Sequence, residues 1–338
     1  MILILSNQDD VHAQTIAAKL RARGAKLAWV DHRQYPAQAR VSLRFTGGAA
    51  HAVWRASDGD IDLDALTAIW HRRPYVPRPD PRVTSEALRR AITDDSDLFL
   101  RDLWNATDCL TVPAPTLVYR RADLKATQLA LASRLGLDIP ETLITNDPDE
   151  LLAFHREHDG KIISKLASPV LNRDYLTDAV RYTNVVSHRD IGYVKRVHHG
   201  PVIFQAYVPK RLELRITIIG DAIFPVEIHS QVTRRTRHDW RHYDHVNTPM
   251  YPHALPPGIE RTLRQFVHEL GLCFGAIDMV VTPDGRYVFL EINPNGQFLW
   301  IEDITGLAMS DAMCDLLLSG SVRSRTHAAE LANQPRCG

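Results

Sequence analysis

Phe274-Gly-Ala-Ile-Asp278 and Val288-Phe-Leu-Glu291-Ile-Asn293 are apolar, strand-like runs that end in oxygen-bearing side chains. Between them, Thr282-Pro-Asp-Gly-Arg286 has the composition of a tight turn. Alternate side chains of a strand share a face, so Glu291 and Asn293 project together. Folding the two runs into a hairpin brings Asp278 alongside them. No other segment constrains the fold as much, because one face of the hairpin must be buried while the other presents two carboxylates and an amide oxygen. Such a set suits Mg²⁺, which prefers oxygen ligands and usually shares them with substrate phosphates. The competing reading is that Asp278 caps a turn and that Glu291 and Asn293 merely end a strand.

The chain has 338 residues, too many for one compact core, so two or three domains are expected. Forty basic residues balance forty acidic ones, which leaves no general field for a polyanion; recognition of phosphate or carboxylate must be local. The basic residues are mostly arginine, whose planar fork favours bidentate contacts with such groups. Cys109, Cys273, Cys314 and Cys337 lack any C-x-x-C spacing, so neither a zinc site nor a disulfide framework is indicated. The amino terminus reads as a short buried strand without the flanks of a signal peptide, and no apolar run is long enough to span a bilayer. A soluble cytoplasmic protein with reduced thiols is expected, with neither membrane nor nucleic acid as partner.

Along the chain, Ile2 to Leu5 reads as a strand and His12 to Arg23 as a helix closed by Gly24. Strands follow at Lys26 to Val30 and Val41 to Phe45, then a helix around Leu63 to Ala68. This alternation predicts a small open α/β domain. Its first turn, Ser6-Asn-Gln-Asp-Asp10, lacks the glycines of a dinucleotide fingerprint, so no cofactor is assigned to it. Ile69-Trp-His-Arg-Arg-Pro74 and the prolines Pro77, Pro79 and Pro81 read as an irregular connector before a helix near Ser85 to Thr107, and Pro113-Ala-Pro115 marks a boundary. Beyond it come one helix from Arg121 to Gly136, a segment Glu141 to Thr145, and a helix from Pro148 to His158. Strands are predicted at Lys161 to Lys165, Val202 to Tyr207, Glu213 to Ile219 and Ala222 to Glu227. An amphipathic helix, Ile259 to Leu270, precedes the hairpin, and a last helix covers about Ser310 to Leu317. Trp54, Trp104 and Trp300 read as packing residues.

From about Arg120 to Gly320 the ordered residues resemble the ATP-grasp superfamily, with a matching α/β domain ahead of them. The resemblance implies an α/β fold, α+β in parts: a pre-ATP-grasp domain over residues 1–118, a central subdomain over 119–205 and a C-terminal metal and ATP subdomain over 206–320; the short polar tail over 321–338 reads as mobile. It also implies ATP and Mg²⁺ as cofactors. Lys125 and Lys165 would reach the nucleotide phosphates. Phe204-Gln-Ala-Tyr-Val208 would be the hinge whose backbone meets the adenine edge, placing Gln205, Ala206, Tyr207 and Val208 at the base. In Glu213-Leu-Arg215 the acid would accept the ribose hydroxyls and Arg215 would point into the active site. Asp278, Glu291 and Asn293 would hold the metal, and Arg241 would contact phosphate.

Within the superfamily, the details are most similar to the graspetide synthetases, microviridin-type ligases that cross-link ribosomal peptides. The cues are Trp70-His-Arg-Arg-Pro74, Arg181-Tyr-Thr-Asn184, Lys210, Ile228-His-Ser-Gln231, Asp239-Trp-Arg241 and Glu291-Ile-Asn-Pro-Asn-Gly-Gln-Phe-Leu-Trp-Ile-Glu302. The resemblance implies acyl-phosphate activation of Asp or Glu side chains in a precursor peptide with a leader and an acidic, hydroxyl-rich core. Ser, Thr or Lys side chains of the same peptide would then close ω-esters or ω-amides, and the enzyme would work as a homodimer. Arg215, Arg241 and Lys165 would be the catalytic residues. Two features depart from the pattern: Ala206 stands where an acid is common, and Leu166 to Thr183 contains no glycine. The arginine-rich segment Thr233 to Arg241 could hold acidic side chains of the peptide, whereas His238, His242 and His245 lack a carboxylate partner for a metal. The alternatives are a ligase adding amino acids to a protein terminus or small molecule, and a nucleotide-binding regulator without turnover.

Overall fold

The computed structural model describes residues 1–57, 59–166, 184–232 and 248–320. Arg241, the arginine and histidine run around it, the loop after Leu166 and the tail lie outside the described residues. In chain order the elements are β1 (Ile2–Leu5), α1 (Val11–Ala22), β2 (Leu27–Val30), β3 (Arg40–Thr46), β4 (Ala49–Ala56), β5 (Gly59–Asp62), β6 (Ala68–His71), α2 (Glu86–Ala106), β7 (Leu110–Val112), α3 (Thr116–Ala122) and α4 (Lys125–Arg134). There follow β8 (Thr142–Thr145), α5 (Pro148–Glu157), β9 (Ile162–Leu166), β10 (Asn184–Val185), α6 (His188–Ile191), β11 (Val202–Ala206), β12 (Leu212–Ile219), β13 (Ala222–Ile228), β14 (Met250–Pro252), α7 (Pro257–Glu269), β15 (Phe274–Val281), β16 (Tyr287–Asn293), α8 (Leu299–Thr305) and α9 (Met309–Ser319).

Four sheets organise them. The amino-terminal sheet is parallel, in the order β2-β1-β6-β7, and a separate meander joins β3, β4 and β5. The expected open α/β domain is there, but two local readings are corrected. Leu63 to Ala68 is no helix: Asp62 accepts the Asp64 N–H and closes a single 3₁₀ turn, after which Leu66 is extended. Ile69 to His71 is likewise no connector, because Ala68–His71 is a fully buried strand paired on both sides, by β1 and β7. Four residues are too few for periodicity to separate a buried strand from a loop, and the prolines beyond obscured it.

A third correction concerns the helix expected over Arg121 to Gly136, which is two. α3 stops at Ala122, Leu124 is extended, and α4 begins at Lys125. The Gln128 side chain accounts for the break, since its Nε2 donates to the Ala122 carbonyl at 2.8 Å, one of the acceptors a helix end leaves without an internal partner.

Beyond α4, β10-β9-β11-β8 form an antiparallel sheet, and β14-β13-β12-β15-β16 form another. The latter carries the predicted hairpin, with the Thr282 N–H donating to the Arg286 carbonyl at 3.0 Å across its turn. One face of this sheet packs with α7 and α4 through Leu214, Ile216, Phe266, Ile277, Phe289 and Ile292. A second core joins Ile2, Ile4, Ile16 and Trp70 of the amino-terminal unit to Phe274, Phe298, Met313 and Leu317. Lys19 of α1 and Arg23 just beyond its end reinforce it by pairing with Asp311 and Asp315 of α9. Trp54 and Trp104 are packed inside, as read from the sequence.

Candidate active site

Register lines up the site across the five-stranded sheet. Arg215 on β12 lies opposite Asp278 on β15, and Asp278 opposite Glu291 on β16, so all three share one face. Asn293, opposite Ala276, continues that face, and Glu213 lies two residues from Arg215. Arg215 and Asp278 are 6 % and 4 % exposed. The Arg215 Nη1 donates to both carboxylate oxygens, at 2.9 and 3.0 Å, a charge-assisted contact in a weakly screening environment. Lys125, the first residue of α4, places its Nζ 2.9 Å from the Glu291 Oε2. The predicted lysine and the predicted metal edge therefore meet.

The edge strand β16 is held from outside by a residue the sequence reading missed. Gln128 is buried; its Oε1 accepts the Ile292 N–H at 3.1 Å and its Nε2 donates to the Ile292 carbonyl at 2.9 Å. This amide pairs with the backbone of the residue between Glu291 and Asn293, which fixes both side chains. Its sequence signal was slight, one polar residue on the apolar side of a helix.

Asn293-Pro-Asn-Gly-Gln-Phe298 then folds over the same face. The Asn295 N–H donates to the Asn293 Oδ1 at 2.9 Å, while its Nδ2 donates to the carbonyls of His71 and Arg72 at 2.9 and 2.7 Å. Gly296 passes so close to the sheet that a Cβ there would lie 2.6 Å from the Arg215 Nη2. Burial raises the Asp123 pKa, and the nearby Glu291 charge adds to the effect while Lys125 and Arg120 oppose it. Asp123, two residues before Lys125, thus lies within electrostatic reach of Glu291, which the motifs did not flag.

Of the remaining predicted residues, Arg241 lies outside the described residues and the others lie on or beside the central sheet. Lys165 is on β9 opposite Ile203, and Gln205, on β11, donates its Nε2 to the Thr142 Oγ1 at 3.0 Å. The Ala206 N–H donates to the Glu141 carbonyl at 2.9 Å and the Tyr207 N–H to the Lys161 carbonyl at 2.8 Å. These two hinge donors are engaged by the scaffold, so the Val208 N–H is the next one along. Lys210 Nζ holds the Glu213 Oε1 at 2.9 Å.

No three described His, Cys, Asp and Glu side chains converge as a metal cage. The edge is nonetheless chemically apt for Mg²⁺: two carboxylates and an amide oxygen, all hard donors, with a cation already seated against Glu291. An ion that retains waters and phosphate oxygens needs no complete protein cage.

Residues 1–114 match the family described as the MvdD pre-ATP grasp domain. Among solved structures, the macrocyclase MdnC of Microcystis aeruginosa, bound with the precursor peptide MdnA, superposes with a TM-score of 0.82 at 30 % identity, covering 94 % of this chain and 99 % of that one. An ATP-grasp ligase associated with ribosomal peptides from Chryseobacterium gregarium, in complex with ADP and a leader and core peptide, gives 0.84 at 26 % identity over 95 % and 97 %. The macrocyclase MdnB of Microcystis aeruginosa gives 0.79 at 28 % over 94 % and 99 %. Among curated proteins, none matches.

Proposed function

Because the chain belongs to the ATP-grasp peptide macrocyclases, and is an ATP-dependent ligase, we propose that it activates Asp or Glu side chains of a ribosomal precursor peptide and closes intramolecular ω-ester or ω-amide links. The observation that carries this reading is the cross-strand row Arg215, Asp278, Glu291, with Lys125 against its end: paired charges on one face of the sheet. A carboxylate exchanges no oxygen for a weak nucleophile at neutral pH until that oxygen becomes a leaving group. Transfer of the γ-phosphoryl of ATP to the carboxylate gives an acyl phosphate and ADP; attack by a Ser or Thr hydroxyl, or a Lys amine, then expels phosphate and the nucleophile's proton.

The protein's share is positioning and charge neutralisation. Lys125, Lys165 and Arg241 would meet phosphate oxygens, and Arg215 would face the reacting carboxyl while holding Asp278. The adenine edge would dock on the Gln205 to Val208 hinge, using the Val208 N–H, with Glu213 receiving the ribose. Bound Mg²⁺, held by Asp278, Glu291 and Asn293, would neutralise phosphate charge. A homodimer working in the cytoplasm on an acidic, hydroxyl-rich peptide with a leader completes the reading. The free thiols of Cys109, Cys273 and Cys314 fit a reducing compartment.

Product mass tests the proposal. Each intramolecular closure removes one water from the peptide and yields one ADP, so mass should fall in equal steps that cease in Glu291→Gln. A gain of one amino acid per turnover would instead identify a terminal ligase, and ADP formation indifferent to peptide would point to neither.

A further inference from the structure

The amino-terminal sheet reverses direction of winding between β1 and β6: α1 carries the chain outward to β2, whereas β6 pairs on the other side of β1. At the carboxyl ends of two such parallel strands the backbone diverges and leaves a crevice, the usual ligand position of open α/β sheets. Here the crevice is bordered by Ser6 and Asn7 after β1, Asp10 at the start of α1, and Arg72 and Arg73 after β6.

Asp10 is one buried carboxylate between two guanidinium groups, 3.2 Å from the Arg72 Nε and 3.7 Å from the Arg73 Nε. Arg72 is 3 % exposed, yet its Nη2 has no hydrogen-bond partner among the described residues, and neither do the Ser6 Oγ, the Asn7 Oδ1 or the His12 Nδ1. A buried guanidinium N–H without an acceptor is costly, and a negative charge brought close to it lowers that cost. The twelve-residue helix α1 directs its positive end at the same place. The Arg73 side chain, 48 % exposed, is the cation that a ligand can reach. The crevice also abuts the candidate active site, since the Asn295 that donates to the Asn293 Oδ1 is hydrogen-bonded to the Arg72 carbonyl.

We propose that this crevice is a second carboxylate subsite, in which Arg73 takes an acidic side chain of the peptide while another is processed beside Glu291. The assignment rests on reading the chain as a peptide ligase. A planar carboxylate matches the guanidinium fork of Arg73.

The test uses the full chain with ADP and three probes followed by ligand-observed NMR titration: N-acetyl-glutamate N-methylamide, its glutamine counterpart, and inorganic phosphate. The glutamate compound should bind, the glutamine compound should not, and Arg73→Ala should weaken the former by about tenfold or more with ADP affinity unchanged. The subsite is overturned if the glutamate compound fails to bind, if both amides bind alike, or if Arg73→Ala leaves its affinity intact. It is equally overturned if only phosphate binding depends on Arg73. Water loss from a precursor without Arg73-dependent probe binding would remove the subsite and keep the macrocyclase; addition of free amino acids would do the reverse.

Discussion

Gly296 is the residue on which the two halves of the site close. A Cβ at this position would lie 2.6 Å from the Arg215 Nη2 and 2.5 Å from the Ala276 Cβ, and both are fixed in the sheet. Gly296→Ala should therefore leave the fold intact and lower ADP formation on the order of a hundredfold, the scale of an ångström's misplacement; near-normal turnover would show that the loop is slack. Asp278 and Glu291 separate by the same logic. Asp278→Asn removes the charge that both oxygens of Asp278 present to the buried Arg215 Nη1, which should lower stability by on the order of 3 kcal/mol as well as abolish turnover. Glu291→Gln should abolish turnover with a smaller loss of stability, because the Lys125 and Glu291 side chains keep 19 % and 16 % of their surface exposed, against 7 % and 6 % for Arg215 and Asp278. Equal urea midpoints for the two variants would refute the distinction. Asp278, Glu291 and Asn293 were legible because strand alternation forces residues two apart onto one face. Gln128 and Asn295 were not, since a side chain that hydrogen-bonds a distant backbone leaves no periodic trace in the sequence.

At the scale of elements, legibility followed length and capping. The helix read over Ile259 to Leu270 and the one near Ser85 to Thr107 have apolar faces long enough to show their period, and Ser85 caps the latter by accepting the Leu88 N–H. The buried strand Ala68–His71 and the break between α3 and α4 depend on neighbours far along the chain, which local pattern does not register. The glycines that end helices divide likewise into local and tertiary cases. Gly24 and Gly271 are both left-handed, at φ +79° and +74°, but only at Gly271 does an added Cβ meet an obstacle, the Val118 Cγ1 at 2.9 Å. Gly24→Ala should thus cost about 1 kcal/mol of backbone strain, and Gly271→Ala about 1 kcal/mol or more beyond that. Equal melting temperatures for the pair would mean that α3 yields freely to the turn after α7.

Over the whole molecule, two buried imidazoles and a half-buried one tie stability to pH. Burial lowers His12 and His32 from 6.5 to about 4 and His71 to about 3, with Arg72 adding to the effect at His12. All three belong to the amino-terminal unit, but His12 also packs edge-on against Phe298, so its environment is shared with the loop over the active site. The His32 Nε2 accepts the Trp104 Nε1–H at 3.0 Å, a bond that exists only while that nitrogen lacks a proton. Below pH 6.5 the unfolded chain binds protons that the folded chain refuses, so stability is complete above that value and falls as pH drops towards 4 and then 3. Between pH 6.5 and 5, His32 and His71 should each withdraw about 2 kcal/mol, a loss readable in urea midpoints. Carboxylates titrate in the lower part of this window and would blur the assignment, which His71→Phe resolves. Phenylalanine keeps the ring contact with Tyr119 and, as a backbone feature, the carbonyl that receives Asn295, but it cannot take a proton. The variant should lose part of the pH dependence above pH 5 while matching the parent near pH 7. A slope as steep as the parent's would place the acid sensitivity elsewhere than at this ring.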